Sequence, residues 1–317
     1  MQLSIIIPIY NEVDNLVPLH QELRAVLDRL PQPAEVIYVD DGSADGSFAV
    51  LQRLHAEDPR VQAIQLSRNF GQTAALAAGI AHARGDVFVL MDGDGQNDPA
   101  EIPRLLDKIN DGYDLVAGWR VDRQDALWSR RVPSRAANWL IGLITGVRLH
   151  DYGCTLKAIR GDLARGLRLY GEMHRFIPAL AADLGARIVE MPVNHRPRIR
   201  GQSKYGISRT IRVVLDLVTV KFLSSYSTRP IHIFGLVGLL ATALGLLIVG
   251  WLGMEKLFLG AQLAGRPLLW LGILLSIMGM QFVTMGLLGE LLVRTYHESQ
   301  GKPVYRVSQV IVREPPR

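Results

Sequence analysis

Asp86-Val87-Phe88-Val89-Leu90-Met91-Asp92-Gly93-Asp94-Gly95-Gln96 is an apolar run that ends in an acidic turn. A continuous run rich in β-branched valine fits a strand covered on both faces. The turn then sets two carboxylates two residues apart, with glycines to free the backbone. Both can face one hard cation. Mg²⁺ and Mn²⁺ take oxygen ligands, typically one or two protein carboxylates with substrate phosphates completing the shell. An EF-hand is the competing pattern, because Asp92, Asp94 and Gln96 fall on its ligand positions. It fails where Asn97 stands in place of Gly and Pro103 in place of the bidentate Glu, and it follows a strand and not a helix. A plain acidic surface turn is the remaining alternative.

Outward from this turn, strand-like and helix-like patterns alternate. Leu3–Pro8, Glu35–Val39, Val61–Leu66, Val87–Met91 and Leu115–Ala117 read as strands. Asn15–Leu30 carries Leu16, Leu19, Leu23, Val26, Leu27 and Leu30 at helical spacing. Ser47–Leu54, Thr73–Ala83 and Pro99–Ile109 are further helices, the last with Asp98 as N-cap and Pro99 at its first position. Such alternation predicts a mostly parallel α/β sheet with helices on both faces, whose ligands sit beyond the carboxyl ends of the strands. Those ends are polar here: Tyr10-Asn11-Glu12, Asp40-Asp41-Gly42-Ser43, Ser67-Arg68-Asn69 and the Asp92 turn.

Downstream the composition changes. Ile231–Met254 and Pro267–Gly289 are apolar stretches free of Asp, Glu, Lys and Arg. At about 1.5 Å per residue each can cross a ~30 Å hydrocarbon core. Buried core helices are the alternative, disfavoured because the two lie side by side, and mean hydropathy is +0.16. Lys204, Arg209, Arg212, Lys221 and Arg229 precede the first stretch, and Arg294, Lys302, Arg306 and Arg313 follow the second. The linker holds only Lys256 and Arg266, so the positive-inside rule predicts an inner-membrane protein with both ends cytoplasmic. The opening residues do not read as a signal peptide: they have no basic region, and Pro8 and Asn11-Glu12 interrupt a short apolar run. The N-terminal part is therefore expected to stay on the side of synthesis. The single Cys154 fits a reducing compartment.

Net charge is +5. Its placement, from Arg187 through Arg196, Arg198, Arg200, Lys204 and Arg209 to Arg212 with Glu190 the lone acid, points to anionic lipid headgroups. No nucleic-acid motif accompanies it, and nucleic acid is not an expected partner. Ile207, Ile211, Val214, Val218 and Phe222 recur at helical intervals, which suits a helix in the headgroup plane. An ordinary surface helix is the alternative. Val304–Val312 reads as an added edge strand. A dinucleotide fingerprint is absent after the first strand, where Pro8-Ile9-Tyr10-Asn11-Glu12 stands. No Walker loop or Gly-x-Ser-x-Gly elbow occurs.

Ile7-Pro8-Ile9-Tyr10-Asn11-Glu12, Asp40-Asp41-Gly42-Ser43, Arg68-Asn69-Phe70-Gly71 and the Asp92 turn together resemble family 2 glycosyltransferases. Asp151-Tyr152-Gly153-Cys154-Thr155-Leu156-Lys157, Arg200-Gly201-Gln202-Ser203-Lys204-Tyr205 and Gly301-Lys302-Pro303-Val304-Tyr305 extend the resemblance to the polyprenyl-phosphate type over nearly the whole chain. The resemblance implies a GT-A fold, a nucleotide-sugar donor, inversion at the sugar and Mg²⁺ or Mn²⁺. Carried over by residue, Pro8, Tyr10, Glu12 and Asp41 would line the nucleoside pocket. Asp92 would contact ribose or diphosphate and join Asp94 and Gln96 around the metal. Arg120, Ser203 and Lys204 would bind phosphates, with Arg131 and Arg200 also among the substrate-binding residues. Asp151 would be a base or an orienting group, or else a structural turn residue. Two departures are Gly93 within Asp92-Gly93-Asp94, where Ala is common, and Lys157 where Arg is usual.

The implied partners are a nucleotide-sugar donor, with UDP favoured over GDP on the Asp-Tyr-Gly-Cys form, a polyprenyl phosphate acceptor, the lipid bilayer and a second copy of the chain. The expected division is a catalytic domain at 1–205, an interfacial helix region at 206–229, two spans at 230–293 and a tail at 294–317 packing on the catalytic domain. A processive polysaccharide synthase is the competing enzyme, but Gln124 is followed by Asp125-Ala126-Leu127-Trp128 and not by its Gln-x-x-Arg-Trp motif. A silent nucleotide-sugar scaffold is the competing non-enzyme.

Overall fold

The computed structural model describes residues 1–121, 141–142, 145–169, 173–196, 231–260, 262, 265–299 and 305–312. Arg131, Arg200, Ser203 and Lys204, and the helix expected within 206–229, lie outside the described residues. The described residues fall into two compact units.

The first unit is built on a sheet ordered β7-β5-β6-β4-β1-β2-β3-β8. β1 (Leu3–Ile9), β2 (Ala34–Asp40), β3 (Val61–Leu66) and β4 (Val87–Leu90) are mutually parallel, as expected from the alternation. β5 (Leu115–Arg120) and β7 (Ile188–Val193) are parallel to each other. Side chains alternate across the pleat and both faces are covered, which explains why β4 reads as an unbroken apolar run and β1 as one broken only by Ser4. Leu3, Ile5, Ile7 and Ile9 enter one core with Leu16, Leu19, Leu23 and Leu27 of α1 (Val13–Leu27) and Leu51 and Leu54 of α2 (Ser47–Glu57). Each such side chain contributes roughly 1.5–3 kcal/mol on full burial. Ile6 faces the other way, toward α3 (Gln72–His82), where Gly79 lets the helix backbone approach. Asp98 caps as expected, accepting the Ala100 N–H at 3.0 Å. The helix expected at Pro99–Ile109 is instead a 3₁₀ turn, Pro99–Glu101, followed by α4 (Ile102–Asn110), with Pro103 in its first turn.

One insertion escapes the alternation. β6 (Lys157–Arg160) lies antiparallel between β4 and β5. An antiparallel strand begins where its parallel neighbours end, so Lys157 sits opposite Leu90 and Ala117, at the ligand end of the sheet. Two short helices follow in sequence, α5 (Gly161–Gly166) and α6 (Ile177–Asp183). β8 (Val307–Ile311) is the edge strand expected near the C-terminus, paired antiparallel to β3.

The second unit is a pair of helices, α7 (Ile231–Leu259) and α8 (Pro267–Ser299). Both are long and apolar enough to cross a membrane, over Phe234–Leu259 and Pro267–Leu288. They touch through small residues. A Cβ on Gly238 would lie 2.5 Å from the Gly279 carbonyl oxygen, and one on Gly245 would lie 2.5 Å from that of Gly272. Small residues on facing turns let apolar helices pack closely without a hydrophobic drive between them. Gly238 and Gly245 thus serve contacts within one chain. At the loop, Glu255 accepts Trp251 Nε1 at 3.0 Å and Arg266 Nη1 at 2.5 Å.

Candidate active site

The loops after β1 and β2 are stitched together. Asn11, at φ 54°, donates its N–H to Ser43 Oγ at 2.9 Å and accepts the Ala44 N–H at 2.9 Å. Glu12 donates its N–H to Ser47 Oγ at 3.1 Å, and its carboxylate accepts Asn15 Nδ2 at 2.6 Å. Asp41 is buried and accepts the Phe70 and Gly71 N–H groups at 2.7 and 2.8 Å. Burial raises its pKa, and those two N–H groups oppose the rise. Asp41 therefore shapes the pocket by folding the Arg68–Gly71 loop over the sheet end. Pro8 is half-buried beside it and Tyr10 is exposed.

Gly42 makes that fold possible. Its φ is +69°, and a Cβ would lie 2.5 Å from the Arg68 carbonyl carbon. Gly42→Ala combines left-handed strain with overpacking against backbone. It is expected to destabilise the protein by about 2–4 kcal/mol, read as a fall in the thermal midpoint.

The acidic turn follows β4. Asp92 donates its N–H to Asn97 Oδ1 at 2.9 Å, accepts Gln72 Nε2 at 2.8 Å and takes a side-chain hydrogen bond from Thr155. Burial, then the charge of Asp94, push the Asp92 carboxyl up to about 6, while Thr155, Arg120 and Lys157 pull it down. Asp94 is buried and accepts the Gln96 N–H at 3.1 Å. Gln96 directs its side-chain amide to the Arg196 carbonyl at 3.4 Å and accepts the Arg196 N–H on its backbone at 2.9 Å. Its Oε1 is the atom a cation could take. Among the described residues no group of three or more His, Cys, Asp or Glu side chains converges for a metal.

Cations face this acidic pair from β5 and β6. Arg120 ends β5 and forms a fork with Asp151, Nε to Oδ2 at 2.6 Å and Nη2 to Oδ1 at 2.9 Å. Burial would loosen the Arg120 proton, but the bonds to Asp151 outweigh it and hold the guanidinium above its usual pKa. The Asp151 carboxylate also accepts the Gly153 N–H at 3.1 Å. Lys157 is buried and donates to the Cys154 carbonyl, and burial lowers its pKa. Cys154 is buried beside it, with its thiol pushed up to about 11 by desolvation. It stays a neutral thiol, with no thiolate to serve as nucleophile. Chemically, two carboxylates and two cations meeting at strand ends can bind a metal-bridged diphosphate and stabilise charge that develops on it.

Residues 4–170 match glycosyl transferase family 2. The chain belongs to that family. This family 2 transferase is 45% identical over 98% of its length, and 93% of the relative's, to dodecaprenyl-phosphate galacturonate synthase of Rhizobium johnstonii. It is 40% identical over 97% of its length, and 94% of the relative's, to undecaprenyl-phosphate 4-deoxy-4-formamido-L-arabinose transferase of Edwardsiella ictaluri. Its resemblance to polyprenyl-phosphate sugar transferases thus runs the whole chain. Among solved structures it is similar to mannosyl-3-phosphoglycerate synthase from Rubrobacter xylanophilus, with TM-score 0.57, 16% identity, and coverage of 70% of this chain and 74% of that one. A second is glucosyl-3-phosphoglycerate synthase from Mycobacterium tuberculosis in complex with Mn²⁺ and UDP-glucose, with TM-score 0.54, 19% identity, and coverage of 69% and 78%. These likenesses establish a GT-A-type fold.

Of the residues the motifs singled out, the fold of this glycosyltransferase gathers Asp92, Asp94, Gln96, Arg120 and Asp151 at one sheet end, with Pro8, Tyr10, Glu12 and Asp41 at the ends of the neighbouring strands. Gln72, Asn97, Thr155 and Glu190 were not singled out as site residues. Gln72 is the first residue of a helix directly after Phe70-Gly71, a position from which a polar side chain reaches the strand ends. Glu190 carried a signal as the one acid in a basic run.

Proposed function

We propose that this transferase moves a sugar from a nucleoside-diphosphate donor, with UDP favoured, to the phosphate of a polyprenyl lipid at the cytoplasmic face of the membrane. The observation that carries the reading is the meeting of Asp92 and Asp94 with Arg120 and Lys157 at the carboxyl ends of the strands, in a chain whose relatives bear the names of polyprenyl-phosphate sugar transferases. The proposed division places catalysis in 1–205, membrane contact in 206–229, two spans in 230–293 and a packing tail in 294–317.

Asp94, Asp92 and Gln96 Oε1 are the residues that would hold Mg²⁺ or Mn²⁺. The fit rests on the donor set and on Asp92, whose carboxyl is forced up to about 6 by burial and by Asp94. A pair of carboxylates in that state is relieved by a divalent cation, and two carboxylates suit an ion that takes its other ligands from phosphates and water. When bound, the metal supplies Lewis-acid stabilisation of the leaving diphosphate. The residues do the remaining work. Arg120, held flat by Asp151, faces charge on the departing diphosphate. Lys157 adds a positive field from the strand floor. The acceptor phosphate oxygen attacks the anomeric carbon, the bond from that carbon to the diphosphate oxygen breaks, and the nucleoside diphosphate leaves with the electron pair. The configuration inverts. The acceptor's second pKa is about 6, so it arrives largely ionised and needs aim more than a base. Asp151 is accordingly proposed to orient Arg120.

Incubating the purified protein with undecaprenyl phosphate, Mn²⁺ and a panel of radiolabelled UDP- and GDP-sugars tests this. A single UDP-sugar is expected to give a lipid-extractable product carrying one sugar. Long polymer, or donor binding without turnover on any acceptor, would contradict it.

A further inference from the structure

Glu190 has no role in the mechanism above, yet its carboxylate is the hub of a built network. It lies on β7 with its side chain 10% exposed. Oε1 accepts the Asp151 N–H at 2.9 Å. Oε2 accepts the His150 N–H at 2.9 Å and lies 2.7 Å from His150 Nδ1. The His150 ring in turn stacks on Trp119, with centroids 4.3 Å apart and planes 18° from parallel. Trp119 immediately precedes Arg120 in β5, and β5 pairs with β7 with Ala117 opposite Glu190. Glu190 therefore clamps the His150–Asp151 backbone through two N–H groups, and Trp119 holds the His150 ring. The next bonds outward from that clamp include the three from Arg120 to the Asp151 carboxylate, one from its backbone N–H and two from its guanidinium.

We propose that Glu190 is a positioning residue for sugar transfer: by holding the His150–Asp151 backbone it fixes the carboxylate that presents the Arg120 guanidinium to the leaving diphosphate. The inference rests on the role proposed for Arg120. The chemistry needs a carboxylate, which accepts on both oxygens at once. A glutamine in the same shape would turn its NH₂ toward one of the two backbone N–H donors, and that edge of the clamp would open. A role limited to the architecture would cost stability equally whatever stands at position 120. A role exerted through Arg120 disappears when Arg120 is gone, which a double-mutant cycle detects.

The full-length protein in detergent, with undecaprenyl phosphate and the donor chosen by the screen above, is assayed as wild type, Glu190→Gln, Arg120→Ala and the double variant. Glu190→Gln is expected to lower kcat by about 10–100-fold, the scale for residues that orient a functional group, with little change in donor KM. The double variant is expected to be within about twofold of Arg120→Ala alone, because coupled sites are not additive. Full activity of Glu190→Gln, or equal multiplicative losses in both backgrounds, overturns the inference. Should the Gln variant not fold, Glu190→Asp carries the same comparison. Loss of the folded protein in both overturns it too, because Glu190 would then serve the architecture. A wild type inactive with every donor overturns the transfer reading itself, and this inference with it.

Discussion

Asp94→Ala is expected to reduce sugar transfer about a thousandfold, the upper end of the range for removing one preorganised transition-state stabiliser. The side chain is buried on a turn that, besides its own bond from the Gln96 N–H, is held by the Asn97 bond to the Asp92 N–H and by the backbone pairing of Asn97 with His195. The substitution therefore removes one carboxylate and leaves the turn standing. It also removes the charge that, after burial, does most to raise the Asp92 carboxyl. The variant should fold normally and bind Mn²⁺ weakly, so that raising Mn²⁺ restores only part of the rate. Initial rates across a Mn²⁺ series check this. Undiminished transfer at low Mn²⁺ would remove Asp94 from the site.

Arg120→Lys is expected to lower kcat about a hundredfold while leaving the charge in place. A lysine is a point charge on a flexible stem and cannot reproduce the planar two-point contact with Asp151. Asp151→Asn should produce a loss of similar size, because it breaks the same fork from the other side and leaves a part-buried guanidinium half-paired. The two variants together should be little worse than either. This pattern separates an orienting Asp151 from a general base. A base would give Asp151→Asn a loss well beyond that of Arg120→Lys and would remove an ionisation from the pH profile of kcat. The matching measurement is kcat and donor KM for the three variants from pH 5.5 to 9.

The strands and helices from β1 to β5 were legible because each obeys one period, whereas β7 and the short helices α5 and α6 were not expected. Leu3–Ile9 is apolar except for Ser4, and α1 repeats leucine every three or four residues. The Asp98–Pro99 start was legible from cap chemistry. β6 was not. Lys157-Ala158-Ile159-Arg160 is four residues long with a cation at each end, and nothing local shows that it enters the sheet antiparallel. With β6 hidden, so was the placement of Lys157 beside the acidic turn. The acidic pair itself was visible as a pattern, since a hard-cation site needs two oxygens within a short turn. The groups that hold it in place, Gln72, Asn97 and Thr155, come from separate segments and carry no shared spacing. The same holds for Glu190, which lies 39 positions from Asp151 in sequence. In the second unit, length and apolarity announced two helices, but only the packed pair reveals that Gly238 and Gly245 lie against Gly279 and Gly272.

The most direct test is chelation during transfer. Purified protein, a labelled nucleotide sugar and undecaprenyl phosphate are incubated with excess EDTA, and the organic phase is counted before and after Mn²⁺ or Mg²⁺ is returned. Lipid-borne label that vanishes with EDTA, comes back with the divalent ion and never forms without the lipid phosphate is the expected result. Label reaching the lipid at full rate in EDTA would contradict the account, because the paired aspartates would then have no cation to hold.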